Sequence, residues 1–251
     1  MTNTLRSLAF LSFLILGINN KAIGQDVKID HVISVVSELE EATKEFSSLG
    51  FTIKPGRLHK NGLLNAHIKF DNYTSFEFMT VKGNPNDEMA QEYASFLEKG
   101  GGGMYLSLSG LSIESVQTIL TEANIQFAVS KQKLWSYISF PKQLELSHLF
   151  FIEYHFKQSD QERYYTHDNK LNSIQSVIIE GSHMTIELLN RIGLEYCGEI
   201  NDLDFGGVSC FNSETGTILV IPMKSSENRP RVRTVIFGKK HNDKSLRIDL
   251  D

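Results

Sequence analysis

A threefold internal repeat constrains the fold of this 251-residue chain more than any other feature. Each copy contains a serine, an amphipathic helical pattern, a glycine or asparagine, and then an apolar-polar-apolar triplet. Serine favours helix starts, whereas glycine and asparagine adopt the left-handed backbone that ends helices. In the first copy, Ser37 and Glu40 also have the spacing of a capping box. The pattern predicts three helices, which begin at Ser37, Ser112 and Ser182 and end at Gly50, Asn124 and Gly193.

Strand-like runs surround each predicted helix. One run precedes the helix and three follow it, so each copy reads β-α-β-β-β. Such a unit forms a curved sheet with its helix on the convex side, and pairing with a second unit covers the concave side and leaves a cleft. The expected fold class is therefore α+β, with paired βαβββ modules forming a curved mixed sheet around a cleft and helices on the convex face.

The repeat also divides the chain into segments. A predicted helix near 87–99 and the glycine run Gly100–Gly103 separate the first two copies. The expected order is a signal peptide (1–25), a first module (26–82), a linker helix with a glycine hinge (83–102), a second module (103–156), a connection (157–172), a third, partial or divergent module (173–238) and a charged C-terminal tail (239–251).

The N-terminal segment has the pattern of a cleaved signal peptide. Arg6 precedes a short apolar run, and Ala22 and Gly24 supply the small residues that signal peptidase requires. Cleavage leaves 23 basic residues against 30 acidic ones, a net charge of −7, because Arg6 and Lys21 are removed. This charge disfavours nucleic acid as a partner. We expect a periplasmic or secreted chain without a membrane span in its mature form.

Two cysteines, Cys197 and Cys210, lie in neighbouring apolar segments separated by a turn-like stretch. A hairpin would place them face to face, and an exported chain permits a disulfide. Two buried free thiols are the equally consistent alternative.

Several residues at defined positions of the repeat resemble a known family. Ile29-Asp-His31-Val, the helix after Ser37, Gly50-Phe51-Thr and Ser75-Phe-Glu77-Phe are similar to the vicinal oxygen chelate superfamily. More narrowly, they resemble its glyoxalase-like domain family, of the glyoxalase, bleomycin-resistance and dioxygenase type. The resemblance covers about residues 27–237.

The resemblance implies a divalent metal in the cleft, bound by the first and last strands of each module. His31 and Glu77 match these positions in the first module, and Glu153 is the matching residue in the second. The segment that would supply a fourth ligand, 104–108, contains no His, Glu or Gln. Three ligands would still suit Zn, Mn, Fe or Ni. Strand alternation also permits a solvent-facing Glu77, and His31 has a core position as its alternative.

Other polar and aromatic residues are candidates for substrate binding. Asn65 and His67 share one strand face, Arg57 lies in a loop at the expected cleft mouth, and Trp135 lies in a strand of the second module.

The resemblance implies a metal-dependent lyase or isomerase that acts on a small oxygen-chelating substrate, with Glu153 as the catalytic base. The alternative is a metal-free module of the same fold that sequesters a small molecule. Besides a small molecule, the other candidate partner is a second copy of the chain, in a homodimer.

Overall fold

The computed structural model describes residues 27–202, 206–223, 229–239 and 242–250. The expected signal peptide, 1–25, lies outside these residues. The described residues form four α-helices: α1 (Leu39–Ser48), α2 (Glu88–Glu98), α3 (Ile113–Glu122) and α4 (His183–Arg191). They form the strands β1 (Lys28–Val35), β2 (Lys54–Leu58), β3 (Leu63–Lys69), β4 (Ser75–Val81), β5 (Gly102–Ser109), β6 (Ala128–Lys131), β7 (Trp135–Ser139), β8 (Leu149–Tyr154), β9 (Ser173–Gly181), β10 (Glu195–Asp202), β11 (Gly206–Asn212), β12 (Thr217–Pro222), β13 (Val232–Lys239) and β14 (Asn242–Asp249).

The βαβββ order occurs three times, which confirms the expected fold class. In each module the first strand pairs in parallel with the last, as β1 with β4, β5 with β8, and β9 with β12. The remaining strands of each module extend the sheet as antiparallel neighbours. The result is one open, mixed, fourteen-stranded sheet within the described residues.

The modules join through their first strands. β1 pairs antiparallel with β5, so the first two modules form one continuous curved sheet. β9 pairs in the same way with β13, which also touches β5 through Val232 and Gly103. Residues Asn242–Asp249, expected to belong to a tail, form β14 and pair with β13. Alternation explains the difference, because Leu246, Ile248 and Leu250 are spaced as in a strand and pack against the apolar core.

The convex face carries the main apolar core. Phe46 of α1 lies 5.6 Å from Phe76 and 4.8 Å from Phe78, between ring centroids, so α1 packs against β4. Ser112 and Ser182 cap α3 and α4 as predicted, by accepting bonds from Ser115 and Met184 backbone N–H groups. The predicted capping box at Ser37 is wrong. α1 instead begins after Glu38, whose side chain makes no capping bond.

Helix α2 covers part of the concave face of the first two modules. Its buried residues Ala90 and Tyr93 belong to a second apolar cluster, together with Ile33, Met79 and other strand residues. Ile33 lies opposite Glu77 in the parallel pairing of β1 with β4, so both side chains point to the same side of the sheet. α2 therefore narrows the cleft next to Glu77.

Cys197 and Cys210 form a disulfide between β10 and β11, with their Cα atoms 5.1 Å apart. Of the two states that the sequence left open, the structure has the bonded one. Among the described residues, no helix has the length and apolarity that crossing a bilayer requires.

Candidate functional site

The candidate site is a polar cluster around Glu77 on the concave face of the first module. The Asn65 side-chain amide donates a hydrogen bond of 2.7 Å to Glu77 Oε1. His67 Nε2 lies 3.9 Å from the same oxygen, and His31 Nε2 lies 3.8 Å from Glu77 Oε2. Glu77 is only 8% exposed. The strands thus bring together four of the residues that the sequence singled out.

Asn65 has a fixed orientation in this cluster. Its Oδ1 accepts a 3.0 Å bond from the Arg57 backbone N–H, which leaves Nδ2 to donate to both Glu77 and His67. Gly56 makes this close approach possible, because a Cβ added there would lie 2.0 Å from Asn65 Oδ1. Arg57 therefore contributes its backbone, and its own side chain is exposed.

A hydrogen-bonded carboxylate orients His31. The pairing of β1 with β5 shifts register between Ile29 and His31, which is the position of a β-bulge at Asp30. Asp30 Oδ1 lies 2.6 Å from His31 Nδ1 and also accepts a 3.0 Å bond from the Tyr154 hydroxyl. A carboxylate accepts hydrogen bonds, so Nδ1 carries a ring proton and Nε2 is directed towards Glu77.

The electrostatics of the cluster keep Glu77 ionised. Burial raises the pKa of its carboxyl, but the neighbouring His67, His31, Asn65 and Lys69 together hold that pKa below its ordinary value. Burial lowers the pKa of His67 to about 4, although Glu77 acts in the opposite direction. Near neutral pH the cluster therefore contains a carboxylate and an uncharged His67.

The second module presents aromatic residues at the positions that correspond to His31 and Glu77. In the first module, Glu77 lies opposite Ile33, two residues after His31. In the second, Phe150 lies opposite Ser107, two residues after Tyr105. Tyr105 thus corresponds to His31, and Phe150 to Glu77. The Phe150 ring lies 5.3 Å from that of His31 and 5.7 Å from that of Tyr105, so the two aromatics form a wall of the cleft.

Glu153 does not join the cluster. Its Oε2 accepts a 2.9 Å bond from the Ile113 backbone N–H at the start of α3, on the helix-covered side of the sheet. Alternation is the cause, because Phe150, Ile152 and Tyr154 occupy the cleft side of β8 and Glu153 points the other way. The structure therefore contradicts the expected placement of Glu153 as a metal ligand and catalytic base in the cleft. Trp135 is half-buried and lies opposite Tyr154.

The donor set does not fit the metal cage that the resemblance implies. His31 and Glu77 are in place, but aromatic rings stand at the two corresponding positions. His67 Nε2 is already bonded to Asn65. Within residues 27–202, 206–223, 229–239 and 242–250, no three His, Cys, Asp or Glu side chains are arranged to hold a metal ion.

Sequence reasoning missed the roles of Asp30, Tyr154 and Tyr105. Asp30 is adjacent to His31, and a carboxylate beside a functional histidine is a signal for an orienting partner. Tyr154 and Tyr105 depend on strand register and carried no such signal.

The fold and the cleft together define the class of protein. Paired βαβββ modules joined through their first strands, with polar residues on the concave face, are the architecture of the vicinal oxygen chelate superfamily. The chain belongs to the glyoxalase-like domain family, whose model matches residues 29–189, more than half of the sequence. No curated protein matches the chain significantly.

Solved structures share the same fold at low identity. A hypothetical protein from Staphylococcus aureus is 16% identical with a TM-score of 0.61, over 87% of this chain and 93% of that chain. A variant of 4-hydroxymandelate synthase from Streptomyces coelicolor is 12% identical with a TM-score of 0.60, over 85% and 71%. A variant of homoprotocatechuate 2,3-dioxygenase from B.fuscum is 12% identical with a TM-score of 0.55, over 89% and 60%. These likenesses show the fold alone.

Proposed function

We propose that this chain is an exported glyoxalase-like protein that binds a small molecule in the cleft between its first two modules, without the metal cage that the family resemblance implies. The observation that carries the proposal is the pair Tyr105 and Phe150, which stands where the second half of such a cage would be. An aromatic wall facing a few fixed polar groups is typical of small-molecule sites.

The acceptors of the cleft indicate the chemistry of the ligand. His31 Nε2 and Glu77 Oε2 face each other at 3.8 Å, and both accept hydrogen bonds when the His31 ring is neutral. A ligand atom that carries at least two hydrogens, such as an ammonium or amide nitrogen, satisfies both acceptors at once. The Phe150 ring beside His31 favours a cation further.

The second candidate is a metal-dependent lyase or isomerase. It is favoured by the bond between Asp30 and His31, because metal-ligating histidines usually donate their other ring N–H to a carboxylate. In this case His31 and Glu77 would hold Zn, Mn, Fe or Ni, with the remaining ligands coming from water or substrate.

Binding of small amines tests the first candidate directly. We would titrate benzylamine, with benzyl alcohol and benzoate as matched probes, and follow the ligand signals by NMR. Benzylamine should bind to the wild-type chain, Glu77→Gln should weaken its binding by about tenfold or more, and benzoate should not bind. Glu153→Gln is the control, since that carboxylate lies on the other side of β8 and should leave binding unchanged.

Elemental analysis separates the two candidates. The chain would be purified without chelator, incubated with Zn²⁺, Mn²⁺, Fe²⁺ and Ni²⁺, and desalted. About one metal ion per chain, lost in both His31→Ala and Glu77→Ala, would overturn the metal-free proposal and favour the lyase or isomerase. A chain that holds no metal and binds benzylamine would support the metal-free proposal.

Export is a separate part of the proposal. Two features support it: the apolar N-terminal segment with its small residues before Gln25, and the bond between Cys197 and Cys210, since disulfides persist in oxidising compartments. Expression of the full-length gene in bacteria, followed by fractionation and mass determination, should yield a periplasmic chain that begins near Gln25. A cytosolic chain that retains its N-terminus would contradict this.

A further inference from the structure

Lys69 is a half-buried cation on the cleft face of the first module that pairs with no carboxylate. Strand alternation places its side chain on the same face of β3 as Asn65 and His67. Its Nζ donates one long bond of 3.5 Å to Ser75 Oγ, and it forms no ion pair with any described residue. Neither the proposed amine site nor the metal site that the resemblance implies includes this lysine.

The surroundings of Lys69 leave its charge uncompensated. Burial lowers the pKa of its ammonium group, and the attraction of Glu77 offsets this effect only in part. The neighbouring Lys54 differs, because its ammonium group pairs with the carboxylate of Asp160. A partly buried ammonium group without a carboxylate partner is unfavourable, so an anion that enters the cleft beside Lys69 is stabilised there.

Lys69 lies in the same part of the sheet as the two acceptors of the proposed amine site. Ser75 on β4 lies opposite Lys69 on β3 and, on its other side, opposite His31 on β1. Neighbouring strands are about 5 Å apart, so the backbones of Lys69 and His31 are separated by about 10 Å. The bond to Ser75 directs the ammonium group of Lys69 across β4 towards His31. Both side chains therefore lie within reach of one small ligand.

A buried histidine from the connection after the second module fixes the backbone of Lys69. His167 Nδ1 accepts a 3.0 Å bond from the Thr52 backbone N–H, so its Nε2 carries the ring proton. This Nε2 donates a 3.0 Å bond to the carbonyl oxygen of Lys69. The position of the lysine is therefore set before a ligand binds, which reduces the entropic cost of binding.

We propose that the cleft binds an α-amino acid with an apolar or aromatic side chain, an inference that rests on the proposed amine site. The ammonium group of the amino acid lies between His31 and Glu77, and its carboxylate pairs with Lys69. A single carbon atom separates these two ligand groups, which suits a carboxylate and a cation in adjacent rows of one sheet face. The rings of Phe150 and Tyr105 form the wall against which the ligand side chain packs.

Titration of the chain with matched ligands, followed by NMR, tests this inference. Each enantiomer of phenylalanine is compared with 2-phenylethylamine, which lacks only the carboxylate, and with 3-phenylpropionate, which lacks only the amine. At least one enantiomer of phenylalanine should bind about tenfold more tightly than 2-phenylethylamine. The same enantiomer should also bind more tightly than 3-phenylpropionate, because that ligand has no cation for Glu77.

Three lysine variants identify the source of this preference. Lys69→Met keeps a long side chain and removes its charge, so phenylalanine should lose its advantage over 2-phenylethylamine. Lys69→Arg retains a cation and should retain the preference. Lys44→Met removes an exposed lysine of α1, on the convex side of the sheet, and should keep the ratio of the two affinities seen in the wild type.

The outcomes distinguish this inference from the proposed function. If 2-phenylethylamine binds and neither enantiomer of phenylalanine binds more tightly, the amino-acid inference is overturned and amine binding at Glu77 stands. A preference for phenylalanine that persists in Lys69→Met also overturns it. If neither phenylalanine nor 2-phenylethylamine binds, the proposed amine site fails as well.

Discussion

His67 on β3 lies directly opposite Glu77 on β4, and the Asn65 amide two residues away donates to both of them. This one nitrogen uses its two hydrogens on a carboxylate and on an imidazole. It thereby fixes His67 as an acceptor at Nε2 and leaves Glu77 Oε2 for a ligand. The geometry depends on Asn65 keeping its orientation, which the backbone at Gly56 and Arg57 controls.

Gly56→Ala should therefore disrupt the cluster around Glu77 by displacing Asn65. The added methyl group would lie 2.0 Å from Asn65 Oδ1, so Asn65 must move and its bonds to Glu77 and His67 are lost. We expect a loss of about 1–3 kcal/mol in unfolding free energy and weaker amine binding. Urea unfolding and NMR titration measure the two effects. Gly207→Ala is the control, because a Cβ there meets no atom within 4 Å. Equal effects at both glycines would contradict this account.

Glu153→Ala should reduce stability without affecting the cleft. Its carboxylate accepts the Ile113 N–H at the N-terminus of α3, where a negative charge is favourable. Loss of such a cap costs about 1 kcal/mol, measurable by urea unfolding, while benzylamine binding should stay at the wild-type level. Glu122→Ala, at the other end of the same helix, serves as the control and should not destabilise the fold. A loss of benzylamine binding in Glu153→Ala would show instead that Glu153 takes part in ligand binding.

The repeat and the strand alternation predicted much of this arrangement from the sequence. Alternation placed Asn65 and His67 on one face, and the resemblance placed His31 and Glu77 in the same cleft. In the second module, the prediction for Glu153 failed because it depends on the register between β8 and β5. A shift of one residue in the pairing of β8 with β5 would reverse its faces, and the pairing of Ser107 with Phe150 makes Tyr154 face the cleft and Glu153 face α3. The bulge at Asp30 depends on the same long-range pairing, which no local pattern specifies.

The bond between Cys197 and Cys210 should contribute measurably to the stability of the third module. The two cysteines are 13 residues apart, and a loop of about this size corresponds to about 3 kcal/mol. The double variant Cys197→Ala/Cys210→Ala should have an unfolding free energy about 3 kcal/mol below that of the wild-type chain. It should therefore unfold at a lower urea concentration. Reducing agent should lower the stability of the wild type and leave that of the variant unchanged. Thiol titration of the unreduced wild type under denaturing conditions should detect no free thiol, and two thiols per chain would contradict the bonded state.

The acid sensitivity of the fold should come largely from two histidines with lowered pKa values, the buried His148 and the partly buried His67. Burial lowers the pKa of His148 to about 3, helped by the nearby Arg229, and lowers that of His67 to about 4. In the unfolded chain both titrate near the ordinary value of about 6.5, so the unfolded state binds more protons over the intervening range. Their contribution to stability is present above about pH 6.5 and is lost as the pH falls towards 4 and then 3.

His148→Leu should flatten this pH dependence. His148 is fully buried and neither ring nitrogen makes a hydrogen bond within the described residues, so an apolar side chain of similar size should preserve stability near neutral pH. Urea unfolding at several values between about pH 7.5 and pH 4 should show a smaller decline than in the wild type. His183→Leu, an exposed position on α4, is the control and should follow the wild-type curve. A decline in His148→Leu as steep as in the wild type would assign the acid sensitivity to other groups.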